Sequence, residues 1–140
     1  MQFDPTRSDL TVGVIGAGAM GRGIAQVAAA GGMQALITDS RAGAAQEARD
    51  FVDKLFVRAA EKGSMTRDAA AAATARIKVG SGLADFKPCH LVVEAVVENL
   101  EVKQALFAEL EGIVAPDCIL ASNTSSLSLT SIAAKLKTPQ

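Results

Sequence analysis

Short runs of β-branched residues alternate with longer stretches in which apolar residues recur every three or four positions, and the alternation persists along the chain. Leu10-Thr11-Val12-Gly13-Val14-Ile15 predicts a strand over about 11–15, and the alanine-rich segment behind it a helix over about 19–31 that stops at Gly31-Gly32. Gln34-Ala35-Leu36-Ile37-Thr38 reads as a second strand ending at Asp39. From Arg41 to Gly63 the period is helical, with Ala44, Ala48, Phe51, Val52, Leu55, Phe56 and Ala59 on the repeat, and a second alanine-rich helix runs from about 66 to 75. Strands follow at about 77–80 and 90–96. Asn99 is an N-cap for a helix through Gly112 with Val102, Leu106, Leu110 and Ile113 as its inner stripe. Cys118-Ile119-Leu120-Ala121 makes a fifth strand, Ser122–Ser126 a polar loop, and Leu129–Leu136 the start of another helix.

Strands alternating with helices predict an α/β fold, a Rossmann doubly wound parallel sheet. Such a unit needs one helix of about 10–15 residues between its second and third strands. Residues 41–75 hold about 35, which predicts a helical hairpin inserted there. Ligands of these sheets lie outside the carboxyl ends of the strands, where strand order reverses. The loops Gly16–Gly21, Ala95–Asn99 and Ser122–Ser126 are therefore expected to face one crevice.

Composition narrows the classes. A chain of 140 residues, 49% hydrophobic and 21% charged, suits one domain with one core. A net charge of −1 without any basic run argues against a nucleic acid partner or a membrane surface. No apolar stretch approaches the ~20 residues of a transmembrane helix. Residues 1–9 carry two aspartates and no apolar core, unlike a secretory signal. Cys89 and Cys118 lack metal-ligand spacing and read as reduced, buried thiols of a cytoplasmic protein.

The chemistry gathers at the first turn. Gly16 permits a sharp exit from the strand, Gly18 leaves room for a pyrophosphate, and Gly21 lets the helix approach the sheet. Ala19 and Met20 open that helix, whose N–H groups and dipole favour an anion. Asp39 falls where an adenosine ribose would lie and can accept from its hydroxyls. Arg41 is the opposite signal, for a 2′-phosphate; the acid at the strand tip favours NAD. A glycine pattern alone is weak, and methyltransferases share a glycine turn followed by an acid, but Gly21 inside the helix favours a dinucleotide. Glu98 and Lys103 sit at the crevice mouth, where an ordinary reading is a solvated helix start. The Ser122-Asn123-Thr124-Ser125-Ser126 loop holds more polar side chains than a turn needs and reads as the seat of a polar ligand group. His90, the sole histidine, lies at the far end of its strand and is assigned no chemistry. Phe51, Leu55 and Phe56 read as packing.

Taken together, the motifs Val14-Ile15-Gly16-Ala17-Gly18-Ala19-Met20-Gly21, Val92-Val93-Glu94-Ala95-Val96-Val97-Glu98-Asn99-Leu100 with Lys103, and Ser122-Asn123-Thr124-Ser125-Ser126-Leu127 resemble the NAD-binding domain of L-3-hydroxyacyl-CoA dehydrogenases. The wording of Glu98–Phe107 is most similar to bacterial 3-hydroxybutyryl-CoA and 3-hydroxyadipyl-CoA enzymes. The resemblance implies oxidation of an (S)-3-hydroxyacyl-CoA to the 3-oxoacyl-CoA by hydride transfer to NAD. It implies that Gly16, Gly18 and Gly21 hold the pyrophosphate and Asp39 the adenosine ribose, with Ala19, Met20 and Ala95 also among the cofactor-binding residues. Glu98 and Lys103 would bind the nicotinamide-side ribose, Asn123 and Ser125 would flank the nicotinamide and the reacting carbon, and the Ser125 hydroxyl would bond the substrate's 3-oxygen. Lys62, at the end of the insertion, is similar to a basic residue that helps to hold coenzyme A, although Leu55 stands where many relatives have a nearby serine.

The family's general base is a histidine in a Gly-x-His-Phe-Phe-Asn-Pro segment, which these 140 residues do not contain, nor do they contain the helical domain through which relatives form homodimers. The expectation is a fragment: a Rossmann domain over 1–140 cut before its last strands, without the C-terminal helical domain, able to bind NAD but nearly inactive. Loss of a general base typically costs on the order of 10²–10⁴-fold. Two other classes stay open, a β-hydroxyacid or 6-phosphogluconate-type dehydrogenase and a non-catalytic nucleotide-binding protein.

Overall fold

The computed structural model describes residues 9–96 and 99–122. Five strands form one parallel sheet: β1 (Thr11–Ile15), β2 (Gln34–Thr38), β3 (Ile77–Val79), β4 (Leu91–Glu94) and β5 (Ile119–Ser122), in the spatial order β3-β2-β1-β4-β5. Helix α1 (Ala19–Ala30) links β1 to β2, and α4 (Leu100–Glu111) precedes β5. The predicted hairpin is present as α2 (Ala44–Glu61) and α3 (Arg67–Ala75), which pack on each other between β2 and β3. The predicted helix at Leu129–Leu136 lies outside the described residues.

Alternation along each strand divides the core between two faces. Val12 and Val14 of β1 point with Ala35 and Ile37 of β2 toward Ala25, Ala28 and Ala29 of α1 and Ala48, Val52 and Phe56 of α2. Ile15 and Val92 point the other way, toward Phe86, Phe107 and Leu110. Small residues on α1 let it lie close to the sheet. Phe86 fills the space left by Gly13, where a Cβ would meet its ring at 2.3 Å. The insertion is fastened by polar groups: the Arg49 side chain donates to the Ile77 and Thr74 carbonyls at 2.8 and 3.2 Å, and the Thr74 hydroxyl to Asp53 at 2.8 Å.

Two sequence expectations are corrected. Val102 is 49% exposed, and the buried stripe of α4 is Lys103, Phe107 and Leu110. The helix is rotated from the simple apolar stripe because the Lys103 ammonium has a buried partner, described below. Phe51 is likewise 41% exposed and outside the core; its ring carries the Arg22 guanidinium at 3.8 Å, tying α2 to α1.

Cys89 is buried, but Cys118 only partly so. Burial pushes the Cys89 thiol up to about 12, with the nearby Cys118 adding to it, and pushes Cys118 up to about 11 with help from Asp117. At pH 8 a thiol at these values is ionised on the order of 10²–10³-fold less than an ordinary one. Alkylation by iodoacetamide at pH 8 is expected to be at least about 100-fold slower in the folded chain than in the urea-unfolded chain. Equal rates read by mass spectrometry would refute this. Because the thiols stay protonated longer in the folded state, the stability they contribute is complete below pH ~9 and falls as pH rises toward 11–12.

Candidate functional site

The carboxyl ends of four strands lie in one row: Thr38 pairs with Ile15, Ile15 with Glu94, and Glu94 with Ser122. β1 has β2 on one side and β4 on the other, so strand order reverses between β1 and β4. α1 covers one face and α4 the opposite one, the arrangement in which doubly wound sheets take a ligand in a crevice above such a row.

The glycine turn rises from the row. The Gly16 N–H donates to the Thr38 carbonyl and the Ala95 N–H to the Ile15 carbonyl, each at 2.8 Å. Gly16 has φ +109°, and a Cβ on it would come within 2.4 Å of the Ala95 carbonyl oxygen. At Gly21 a Cβ would come within 1.7 Å of the Gly16 carbonyl oxygen, so helix and turn touch backbone to backbone. Gly18 is different: nothing lies within 4 Å of its Cβ position. Gly18, Ala19 and Met20 are exposed. α3 and α4 have side-chain N-caps in Thr66 and Asn99, whereas α1 has neither such a cap nor an acid in its first turn. Open backbone, first-turn N–H groups and the positive dipole end together fit a pyrophosphate.

Asp39 is half-buried at the tip of β2. One carboxylate oxygen accepts the Ala17 N–H at 2.7 Å and the other accepts the Arg41 N–H at 2.8 Å, which ties the strand tip to the glycine turn. The Arg41 guanidinium pairs with Glu47 at 2.9 Å, a contact that raises its pKa first through the hydrogen bond and then through charge.

Below the crevice lies an ionic network. Glu94 and Lys103 are fully buried, with Lys103 Nζ 3.0 Å from Glu94 Oε1. The Ser122 hydroxyl donates to the same oxygen, and the Val96 N–H donates to Glu94 Oε2 at 2.7 Å. One carboxylate thus fastens β4, the turn after it, α4 and the end of β5. The sequence reading pairs Lys103 with Glu98 and leaves Glu94 without a role. Its signal was a lone carboxylate within Leu91-Val92-Val93-Glu94-Ala95-Val96, since an acid on a buried strand requires a partner.

The sequence-predicted residues Gly16, Gly18, Ala19, Met20, Gly21, Asp39 and Ala95 thus meet at one edge of the sheet, with Lys103 buried beneath. Glu98, Asn123 and Ser125 lie outside the described residues. Lys62 is exposed at the carboxyl end of α2, on the turn of the hairpin. A cavity of about 320 Å³ between α2 and α3, lined by Asp53, Val57, Glu61 and Arg67 among others, shares no residue with the crevice loops. His90 belongs to the opposite end of the sheet, where its Nδ1 accepts the Thr11 N–H at 3.0 Å. Among the described residues no group of three or more His, Cys, Asp or Glu could hold a metal ion, and no helix is long and apolar enough to cross a membrane.

Comparison with known proteins agrees with this geometry. Residues 11–140 match the family model described as 3-hydroxyacyl-CoA dehydrogenase, NAD binding domain. A probable 3-hydroxybutyryl-CoA dehydrogenase of Deinococcus radiodurans is 46% identical over 121 residues, covering 86% of this chain and 43% of the relative. A 3-hydroxyadipyl-CoA dehydrogenase of Escherichia coli is 40% identical over 130 residues, covering 93% of this chain and 27% of the relative. The crystal structure of a 3-hydroxybutyryl-CoA dehydrogenase from Escherichia coli superposes with a TM-score of 0.90 at 40% identity, covering 94% of this chain and 28% of that one. The chain spans less than half the length of these relatives.

Proposed function

Because the chain belongs to the family of NAD-binding domains of 3-hydroxyacyl-CoA dehydrogenases, we propose that it is the cofactor-binding part of an enzyme that oxidises (S)-3-hydroxyacyl-CoA to 3-oxoacyl-CoA. One observation carries this reading: the glycine turn, the tip of β2 and the ends of β4 and β5 share one edge of the sheet at the reversal of strand order. A dinucleotide is long enough to lie along that edge. NAD, when bound, supplies the hydride acceptor.

The chain's own residues would bind and orient the cofactor. Gly16, Gly18 and Gly21, with the first-turn amides at Ala19 and Met20, would hold the pyrophosphate, and Asp39 the adenosine ribose. Glu98 and Lys103 would bind the nicotinamide-side ribose, Asn123 would flank the nicotinamide, and Ala95 would border the cofactor. The Ser125 hydroxyl would hold the substrate's 3-oxygen, and Lys62 would meet the coenzyme A portion. The general-base histidine is not among these 140 residues, so this chain by itself should bind NAD and turn over at a small fraction of the full enzyme's rate. The proposal includes a cytoplasmic setting and a full-length homodimer.

Titration of NADH fluorescence tests the cofactor half. Asp39→Ala removes charge-assisted bonds to the ribose and frees the glycine turn, so affinity should fall about 10- to 100-fold. Unchanged affinity would take Asp39 out of the site. A weaker NADPH than NADH titration in the unsubstituted chain would separate this family's cofactor from its phosphorylated relative.

A further inference from the structure

Among the described residues, Arg41 is a cation next to Asp39, beside the proposed ribose position, that the proposed function leaves unused. Its backbone N–H donates to Asp39, which fixes the residue immediately beyond the strand tip. Its side chain, however, turns to α2, where Nη2 lies 2.9 Å from Glu47 Oε2. Glu47 occupies the first turn of that helix, where a carboxylate is favoured by the dipole and so has its own reason to remain. The arrangement contains both parts of a 2′-phosphate site, an arginine and a strand tip, but holds the arginine on an acid six residues ahead.

We propose that Glu47 is a specificity residue: by holding the Arg41 guanidinium on α2 it withholds from the ribose site the cation that a 2′-phosphate would require. Asp39 repels the 2′-phosphate directly, and Glu47 removes its counter-charge. The two acids act on the same discrimination from different elements. This rests on the dinucleotide reading above, and it adds a residue that does not itself touch the cofactor. The pair is exposed, with side chains 66% and 68% accessible, so the effect must be modest: an exposed ion pair can shift an equilibrium by up to about fivefold, and less in high salt.

The test is titration of NADH and NADPH by fluorescence against the chain and its E47Q, D39S, D39S/E47Q and D39S/E47Q/R41Q variants. E47Q is expected to leave the NADH Kd within about twofold. D39S should weaken NADH and narrow the gap to NADPH. Adding E47Q to D39S should tighten NADPH a further three- to fivefold at low salt, and adding R41Q should abolish that step. An NADPH Kd that is the same in D39S and D39S/E47Q, while NADH still binds, overturns the inference alone. So does a gain that survives R41Q, since it would be a general effect of removing negative charge. If the unsubstituted chain binds neither nucleotide, the dinucleotide reading fails and this inference with it.

Discussion

Gly21→Ala is expected to cost about 3 kcal/mol or more of folding stability and to weaken NADH binding at least about 100-fold. The added Cβ would stand 1.7 Å from the Gly16 carbonyl oxygen, an atom of the backbone that has no rotamer with which to move aside. Gly16 is itself held in place, because its N–H donates to the Thr38 carbonyl at 2.8 Å. The only relief is to lift the start of α1 from the turn, which scatters the amides proposed to hold the phosphates. Gly18→Ala supplies the contrast. Gly18 has φ −73°, and nothing lies within 4 Å of the new atom, so stability should change by no more than about 0.5 kcal/mol. The methyl nevertheless stands on the open backbone over which a pyrophosphate would pass, and NADH affinity should fall more than about tenfold. Urea denaturation and NADH titration of both variants check the pair. A Gly18→Ala chain that binds like its parent would move the phosphates away from this turn, and a Gly21→Ala chain of unchanged stability would contradict the backbone contact.

These two glycines also explain why much of the fold was legible before any coordinates. A glycine needed for close approach is specified by local geometry, and the strand, turn and helix around it form one continuous segment. The insertion was legible for a similar reason, since its length exceeds what one crossover helix uses. The inner face of α4 was legible only in part. Leu110 is buried and Leu106 packs against the core as the apolar spacing selects, but Val102 is exposed and the helix turns Lys103 and Phe107 inward, because the charge on Lys103 is matched by Glu94 on a neighbouring strand. Periodicity registers polarity and is blind to partners. Phe51 shows the converse: an aromatic residue on the right repeat stays outside the core, 41% exposed, with the Arg22 guanidinium over its ring. The meeting of the strand ends was legible too, since a doubly wound sheet gathers them where strand order reverses, and Ile15, Glu94 and Ser122 do lie in one row; only the residue-by-residue register between β1 and β4 is carried by no local pattern. Glu98, Asn123 and Ser125, named from motif resemblance, fall outside the described residues.

Glu94→Leu is expected to destabilise the chain by about 3–5 kcal/mol, the usual consequence of leaving one member of a buried ion pair behind. Lys103 would keep its position inside the protein without the carboxylate that now stands 3.0 Å away. The Val96 N–H and the Ser122 hydroxyl would lose the same acceptor. Replacing both charges, as Glu94→Leu with Lys103→Met, removes the buried ammonium together with its carboxylate and should recover about 2 kcal/mol or more relative to the sum of the single variants. Recovery should stop short of the parent, because the Val96 N–H would still lack its acceptor, a loss of about 1–3 kcal/mol. A double-variant cycle from urea midpoints measures the coupling, and strict additivity would mean that the two residues do not act as a pair. NADH titration of the double variant then separates two duties. If Lys103 only completes the core, affinity should follow the recovered fold; if its ammonium also serves the nicotinamide-side ribose, as proposed, binding should stay weak in a chain whose stability has largely returned. The second outcome is expected on the proposed role, in which the ammonium, enclosed beside Glu94, must also reach the ribose.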